Sequence, residues 1–124
     1  MLVIDKFSRK PIYEQIVEGI EYEIVTGNLK AKDQLPSIRE LSSTHAVNPN
    51  TIQKAFLELD RAGIIISSQG RGCFVSDDAM ERIRERLRPK LSELENLAGE
   101  LFRAGIAKEE VLCAVETAFS ANEK

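Results

Sequence analysis

Apolar residues recur at every fourth position near the start of the chain, at Ile12, Ile16, Ile20 and Ile24. Residues with this spacing lie on one side of an α-helix. Pro11 suits the first helical position, because its missing N–H would have no partner there, and Gly27 suits the helix end. The pattern therefore predicts an amphipathic first helix whose glutamates point outward.

A short second helix is predicted from about Ser37 to about Thr44. Ser37 and Glu40 have the Ser-x-x-Glu spacing of a capping box, in which the hydroxyl and the carboxylate each bind a free backbone N–H at the helix start. Ile38 and Leu41 are expected to be buried. A break at residues 45–47 separates this helix from the next one.

The third helix has a clear start, since Asn48 is a good N-cap and Pro49 a good first residue. Gly63 marks its end. The residues predicted to face inward are Ile52, Ala55, Phe56 and Leu59. The residues left on the outer side are Asn50, Thr51, Gln53, Lys54 and Leu57. Two short helices joined by a short turn form a helix-turn-helix.

A β-hairpin is predicted directly after the third helix. Residues 64–66 are three isoleucines and residues 73–75 read CFV, and the glycine-rich turn SSQGRG lies between them. The tip of this turn would carry Gln69, Gly70, Arg71 and Gly72. A helix-turn-helix followed by a hairpin is a winged helix. The predicted fold class is therefore mainly α with a small β-hairpin, and residues 1–76 are assigned to the winged helix.

Residues 77–124 form a second part with a helical pattern throughout. An apolar stripe runs along this tail at Ile83, Leu87, Leu91, Leu94, Ala98 and Leu101. Pro89 interrupts the stripe and is expected to kink or split the helix. Gly105 ends the run.

A last helix is predicted after Gly105, because Ile106 and Val111 have the spacing of a hydrophobic staple around a helix start. Val115, Ala118 and Phe119 continue its apolar side. A helical hairpin of this size buries its own stripe poorly, so we expect it to pair with a second copy of the chain. The residues expected to form this dimer interface are Leu87, Leu91, Leu94, Leu101, Val115 and Phe119.

The composition is that of a globular domain, with 43% hydrophobic and 30% charged residues. No run approaches the ~18 apolar residues of a membrane helix, and the start MLVIDKFSRK lacks the order of a signal peptide, so a cytoplasmic protein without membrane partners is expected. Cys73 and Cys113 lie far apart and outside any metal-binding motif. Both are predicted to be small buried residues, and no metal or cofactor is expected.

The net charge of −3 does not point to an anionic partner. Its distribution is more informative, because residues 1–76 carry nine Lys/Arg and nine Asp/Glu, whereas residues 77–124 carry eight and eleven. Residues 29–76 alone hold six bases and four acids. An anionic partner would therefore meet the middle of the chain.

The outer side of the third helix has the chemistry of a DNA reader. A recognition helix places its N-terminal residues against base edges in the major groove, and Asn or Gln can donate to and accept from adenine together. A first turn of lysines would bind phosphate without reading sequence. The candidate readers are Asn50, Thr51, Gln53 and Lys54, with Asn48 as cap and phosphate contact. The alternative is that Asn-Pro-Asn-Thr is only a good helix start.

Two other elements carry candidate DNA contacts. Arg39, at the start of the second helix, could contact a phosphate or a guanine edge, or it could be a solvated arginine paired with a carboxylate. The glycines of the wing tip would allow close approach to the sugar-phosphate backbone while Arg71 enters the minor groove. The alternative for the tip is a plain tight turn.

Arginines alternate along the tail at Arg82, Arg84, Arg86 and Arg88. Residues two apart point to different faces of a helix, so a solvated surface with local ion pairs is expected. The expected pairs are Asp78–Arg82, Glu81–Arg84 and Glu85–Arg88. His45, the only histidine, is expected to have a turn or packing role. No nucleophile-base set, phosphate loop or paired-carboxylate motif is present, so an enzyme is not expected.

These motifs resemble the GntR superfamily of bacterial transcription regulators, and most of all its YtrA subfamily, whose members add only a short helical tail to the winged helix. The matching segments are PIYEQI (11–16), the G-x-L of 27–29, LPSIREL (35–41), VNPNTIQKAFLELDRAG (47–63) and GRGCFV (70–75). They follow one another in order through the first three-fifths of the chain. The tail matches in length and helical character only.

The resemblance implies an operator-binding dimer, usually a repressor and often of transporter genes, which we expect to bind an inverted repeat of double-stranded DNA. Carried over residue by residue, the DNA contacts fall on Ser37, Arg39, Asn48, Asn50, Thr51, Gln53, Lys54, Gln69, Gly70, Arg71 and Gly72. Many members have a basic residue where Pro49 and Gln53 stand, so their base preference is not carried over to this chain. The tail is too short for an enclosed effector pocket within one subunit.

Two alternatives stay open at this point. A winged helix can also be a protein-interaction module, which the acidic net charge and the apolar tail would suit. A small-molecule effector bound at the dimer interface would be compatible with DNA binding, and the sequence does not identify one.

Overall fold

The structure is a computed structural model that describes residues 2–123. Within these residues the chain forms six α-helices and one two-stranded antiparallel sheet. In chain order the elements are α1 (Ile12–Val25), α2 (Ile38–His45), α3 (Pro49–Arg61), β1 (Ile65–Ser68), β2 (Gly72–Val75), α4 (Ala79–Leu87), α5 (Lys90–Arg103) and α6 (Lys108–Asn122). The predicted fold class, mainly α with a small β-hairpin, is confirmed.

The chain divides into two compact units, Met1–Arg86 and Leu87–Lys124. Helix α4 follows the boundary predicted after residue 76, and it buries Ala79 and Ile83 within the first unit. The first unit therefore extends beyond that boundary to Arg86, and the extent of the winged helix stays a prediction.

The core of the first unit is the packing of α1 against α3. The isoleucine stripe of α1 buries Ile16, Ile20 and Ile24, while Ile12 in the first turn is only half-buried. The inward residues of α3 are all buried as predicted, namely Ile52, Ala55, Phe56 and Leu59. Burial of each large apolar side chain contributes about 1.5–3 kcal/mol. This pairing is therefore the main support of the unit.

Helix α2 begins with the predicted capping box. The Glu40 amide donates to the Ser37 hydroxyl at 3.0 Å, and the Ser37 amide donates to the Glu40 carboxylate at 3.3 Å. Leu41 is buried as expected. Ile38 is only half-buried, because it lines an open groove beside α2. That part of the prediction is wrong.

The turn between α2 and α3 is held by its own backbone and side chains. Ala46 follows the last residue of α2 with a left-handed φ of 53°. The Ser42 hydroxyl then donates to the Val47 carbonyl at 2.7 Å, and Val47 is buried. His45 is half-buried at the end of α2. The turn therefore directs the chain into α3 with little freedom.

Strands β1 and β2 pair antiparallel along their whole length. The three isoleucines before the turn have three different environments. Ile64 precedes the strand and is fully buried, Ile65 is buried, and Ile66 is 55% exposed. Side chains alternate between the two faces of a strand, which explains the difference between Ile65 and Ile66.

A segment before α2 extends the hairpin on the side of β2 away from β1. The Leu35 amide donates to the Cys73 carbonyl at 2.8 Å, and the Lys32 amide donates to the Val75 carbonyl at 2.8 Å. Residues 32–35 therefore connect the wing to the start of α2. The sequence gives no strand signal for this segment.

An ion pair that the sequence did not predict connects α4 to α1. The Arg86 guanidinium donates through Nε and Nη2 to the two carboxylate oxygens of Glu21, at 2.6 and 2.8 Å. Glu21 is only 4% and Glu23 only 6% exposed, so the prediction that the glutamates of α1 point outward is wrong for these two. The hydrogen bond from Arg86 to the Glu21 carboxylate is the main cause that raises the pKa of Arg86, so the guanidinium stays charged.

The solvated surface expected for the four arginines is therefore wrong for Arg86. Among the expected local pairs, Asp78–Arg82 forms, with Arg82 Nε donating to the Asp78 carboxylate at 3.0 Å. Within residues 2–123 the other two do not form, namely Glu81–Arg84 and Glu85–Arg88. Pairs of exposed charges on one helix are worth little, so solvent competes with them well.

The second unit is a hairpin of α5 and α6. Pro89 is the N-cap of α5, so it splits the predicted helix and does not merely bend it. Gly105 has a left-handed φ of 83° between the two helices. Ala107 is the N-cap of α6, which places Ile106 and Val111 at the two positions of a hydrophobic staple.

Neither α5 nor α6 buries a residue in the single chain. Among the residues predicted for the dimer interface, Leu91 is 57% and Phe119 is 68% exposed. Leu94 and Leu101 are also exposed, whereas Leu87 and Val115 are half-buried. The apolar side of the second unit is therefore uncovered.

The prediction that both cysteines are buried is wrong for the single chain. Cys113 lies on α6 and is exposed, and Cys73 in β2 is half-buried. The cause at Cys113 is the absence of any buried layer in α6.

Glu21→Gln should lower the free energy of unfolding by about 2 kcal/mol, because the charged Arg86 would lose an ionised, largely buried partner. Urea unfolding followed by circular dichroism measures the change. Glu85→Gln is the matched control on α4, since Glu85 is exposed and lacks an ion pair within residues 2–123. Equal effects of the two changes would show that the ion pair adds nothing to stability.

Candidate nucleic-acid interface

The start of α3 is fixed by its own sequence. Asn48 caps the helix, with its side-chain Oδ1 accepting from the Asn50 amide at 2.8 Å, and Pro49 occupies the first helical position. Both features were predicted. The Asn48 oxygen is thus engaged in capping, and only its amide N–H groups stay available to a partner.

Three polar side chains share the outer side of α3. Asn50, Gln53 and Lys54 are exposed, and they lie three and four residues apart, which puts them on one helix face. The exposed Leu57 continues this face by one turn. Thr51 lies at its edge and is half-buried. Because the opposite side is the buried core, the polar side cannot rotate away from solvent.

Lys54 is held by an aromatic contact. Its ammonium lies 3.9 Å from the centre of the Tyr13 ring, at the start of α1. Desolvation, together with the Glu14 carboxylate, raises the pKa of Tyr13, so the ring stays neutral beside the cation. A cation over an aromatic face is attracted by about 0.5–1 kcal/mol at an exposed site. The contact joins the outer side of α3 to the start of α1.

The start of α2 and the wing line one open groove of about 710 Å³. Ser37, Arg39 and Gly72 all contribute to its wall. The Ser37 oxygen is occupied by capping. Arg39 is exposed and has no ion pair within the described residues 2–123. The fold therefore brings Ser37 and Arg39 of the α2 start to the same groove as Gly72 of the wing, whereas Gln69, Gly70 and Arg71 do not line it.

The wing tip is shaped by two glycines. Gly70 and Gly72 have left-handed φ values of 78° and 108°. The Arg71 amide donates to the Ser68 carbonyl at 3.0 Å, which closes the turn. The Arg71 and Gln69 side chains are exposed at the tip.

Sequence reasoning missed the residue that supports this tip. Gln34 donates through Nε2 to the Arg71 carbonyl at 2.9 Å. A Cβ on Gly72 would lie 2.8 Å from the same Nε2 atom, so a side chain at position 72 would displace the Gln34 amide. The two partners are 37 residues apart in sequence. No local pattern could have indicated the contact.

Three of the candidate contact residues carry a positive charge that faces solvent. Arg39, Lys54 and Arg71 are exposed, while Glu40 is held in its capping box. Among residues 2–123 no group of three or more metal-binding side chains is present. In the same part of the chain, no helix is long and apolar enough to cross a membrane. The predicted dimer residues all lie in the second unit.

A helix-turn-helix with a hairpin wing defines the winged helix-turn-helix class of regulators. The family model for the GntR family of bacterial regulatory proteins matches residues 12–75. The chain belongs to this family, as the resemblance indicated. Its members are regulators and not enzymes.

Three known proteins illustrate the relationship. The HTH-type transcriptional repressor YtrA of Bacillus subtilis (strain 168) is 38% identical over 112 residues, covering 90% of this chain and 86% of that protein. A GntR family transcriptional regulator from Listeria monocytogenes is 40% identical with a TM-score of 0.71, covering 92% and 98%. The DNA-binding domain of AraR, solved with operator ORX1, is 32% identical with a TM-score of 0.52, covering 59% and 87%.

Gly72→Ala should cost about 2–3 kcal/mol of stability, because the strain of a left-handed alanine adds to a lost hydrogen bond from Gln34. Gly70→Ala should cost only the strain, about 1–2 kcal/mol, since nothing lies within 4 Å of its added Cβ. Urea unfolding of both variants measures the difference. Identical losses would rule out the role of Gln34 in supporting the tip.

Proposed function

We propose that the chain is a sequence-specific transcription regulator, a repressor, that binds an inverted-repeat operator as a homodimer in the cytoplasm. The observation that carries this proposal is the outer side of α3, where Asn50, Gln53 and Lys54 share one exposed face. Amide side chains in this position can recognise base edges in the major groove. Membership of a regulator family supports the same conclusion.

The proposed readers of base sequence are Asn50, Thr51, Gln53 and Lys54. Asn and Gln pair with adenine through one donor and one acceptor, which lysine cannot do. The exposed Leu57 is apolar and would suit a thymine methyl at the end of the same face. The contact of Lys54 with Tyr13 holds its stem close to α1, so its charge is presented in a narrow range of positions.

The remaining contacts position the helix on the duplex. Asn48 and Ser37 offer donor groups beside the helix starts, and Arg39 brings a charge to the groove between α2 and the wing. Arg71, with Gln69 and the two glycines of the tip, would lie over the adjacent minor groove. Contacts of this kind fix orientation and affinity, whereas base contacts decide sequence preference.

The dimer is proposed from the uncovered apolar side of the second unit. Its interface residues are Leu87, Leu91, Leu94, Leu101, Val115 and Phe119. A second copy can cover these side chains by two-fold symmetry. The α3 helices of the two subunits would then enter major grooves about 34 Å apart, which requires an inverted repeat.

Selection of bound duplexes from a random DNA pool tests the function. We expect the selected sequences to converge on two half-sites in inverted order, about 10 base pairs apart. A pool without enrichment would overturn the proposal of sequence-specific binding. Enrichment of a single half-site would overturn the proposal that a dimer binds two inverted half-sites.

Asn50→Ala and Gln53→Ala should each weaken binding to the selected duplex by about 1–3 kcal/mol and relax preference at one position of each half-site. Binding to scrambled DNA should change little. Asn28→Ala is the matched control, because Asn28 is an exposed amide outside α3. Fluorescence anisotropy on both duplexes gives the affinities. Equal losses on both duplexes would contradict the reading role.

Leu94→Asp should raise the dissociation constant of the dimer at least tenfold, because a carboxylate would have to be buried against apolar side chains. Sedimentation equilibrium measures the change. Ser92→Asp adds the same charge to α5 at an exposed position off the apolar stripe, and it should leave the dimer intact. Dimerisation that tolerates Leu94→Asp would place the interface elsewhere.

A protein-interaction module is the second candidate, favoured by the exposed apolar residues of α5 and α6. The salt dependence of binding distinguishes the two functions. DNA binding should weaken steeply and log-linearly as salt rises, because counterions are released from the phosphates. A contact that is indifferent to salt would favour the protein partner.

A further inference from the structure

We propose that the segment of residues 6–10, KFSRK, forms an additional contact with the DNA backbone through Lys6 and Arg9. This inference rests on the proposed function and extends its interface beyond α2, α3 and the wing. The ligand it requires is the phosphate backbone of the same duplex, and no base sequence is read.

Lys6 lies beside the turn that leads into α3. The Lys6 ammonium donates to the Ala46 carbonyl at 3.0 Å. Ala46 lies in the turn between α2 and α3, two residues before the N-cap Asn48. Lys6 is therefore next to the end of α3 that carries the proposed readers.

A second contact places the start of α1 at the same side of α3. Lys54 on the outer side of α3 lies over the ring of Tyr13. Lys6 is thus adjacent to the turn before α3, and Tyr13 is adjacent to the second turn of α3. A duplex seated on the outer side of α3 would come close to the chain that joins Lys6 to Tyr13.

Hydrogen bonds from α1 hold the segment in place. The Gln15 side chain accepts from the Asp5 amide at 2.8 Å and donates to the Asp5 carbonyl at 2.9 Å. It also donates to the Lys10 carbonyl at 2.9 Å. One glutamine of α1 therefore fixes both ends of residues 5–10. A fixed cation loses less conformational entropy on binding than a free one.

Part of the positive charge of the segment stays available to a phosphate. Lys10 pairs with Glu18 at 2.7 Å, and this hydrogen bond raises the pKa of Lys10. The Asp5 carboxylate accepts from the Phe7 amide at 2.9 Å. Arg9 is exposed and has no ion pair within residues 2–123. Lys6 uses one of its three N–H donors on Ala46.

Three acids lie in or near the segment, namely Asp5, Glu14 and Glu18, and of these Glu18 forms an ion pair with a lysine. Glu14 accepts from the Tyr13 hydroxyl at 3.3 Å, and Glu18 is paired with Lys10. Lys6 and Arg9 are then the cations left to meet phosphates. Beside α1 the segment would thus offer positive charges to phosphates, as Arg39 does at the start of α2.

The test is the salt dependence of DNA binding by the full chain. Lys6→Gln and Arg9→Gln should each reduce the slope of log affinity against log salt by about 0.9, one phosphate contact each. Affinity at moderate salt should fall severalfold and to the same degree on selected and scrambled duplexes, because phosphate contacts carry no sequence information. Lys6→Arg should retain the slope.

Arg61→Gln is the matched control, since it removes one exposed positive charge at the opposite end of α3 and should leave the slope unchanged. An unchanged slope for both Lys6→Gln and Arg9→Gln would overturn the inference while leaving the proposed function intact. Loss of stability in Lys6→Gln alone, with the slope retained in Arg9→Gln, would assign the segment a structural role. Failure of the unaltered chain to bind DNA would instead overturn the proposed function.

Discussion

The packing of α1 against α3 is the constraint on which the rest of the structure depends. Ile16 and Ile20 of α1 and Ile52 and Leu59 of α3 are almost completely excluded from solvent. Because these side chains fix the rotation of α3, the polar side of the same helix must face outward. The buried face of α3 therefore stabilises the first unit, and its polar face is the one proposed to recognise DNA.

Short connections keep the other contact residues in fixed positions around this pair of helices. Residues 32–35 bond to β2 and lead directly into the capping box of α2. Gln34 of the same segment also supports the wing tip through its hydrogen bond to the Arg71 carbonyl. The Glu21–Arg86 pair connects α4 to α1 in the same unit. These polar contacts add to the apolar packing of the same segments, where Leu35 and Val75 are buried.

Local signals in the sequence predicted the helix starts, the turn glycines and the hairpin, because each depends on residues only a few positions apart. Asn48 with Pro49 is the best example, and its cap forms as expected. The contacts that the sequence did not reveal join distant positions, such as Glu21 and Arg86, 65 residues apart. The helical pattern of the tail likewise could not show that α4 belongs with the first unit. Among the candidate site residues, position on an outer face was predictable, but support by Gln34 was not.

The central claim is that the outer side of α3, together with the start of α2 and the wing tip, is the surface that binds DNA. Amide chemical shifts of the labelled chain, recorded while the selected duplex is added, test it most directly. We predict that the largest changes occur at Asn50, Gln53, Arg39 and Arg71, with little change at the C-terminal end of α3. Changes confined to α5 and α6, with these four residues unaffected, would contradict the account.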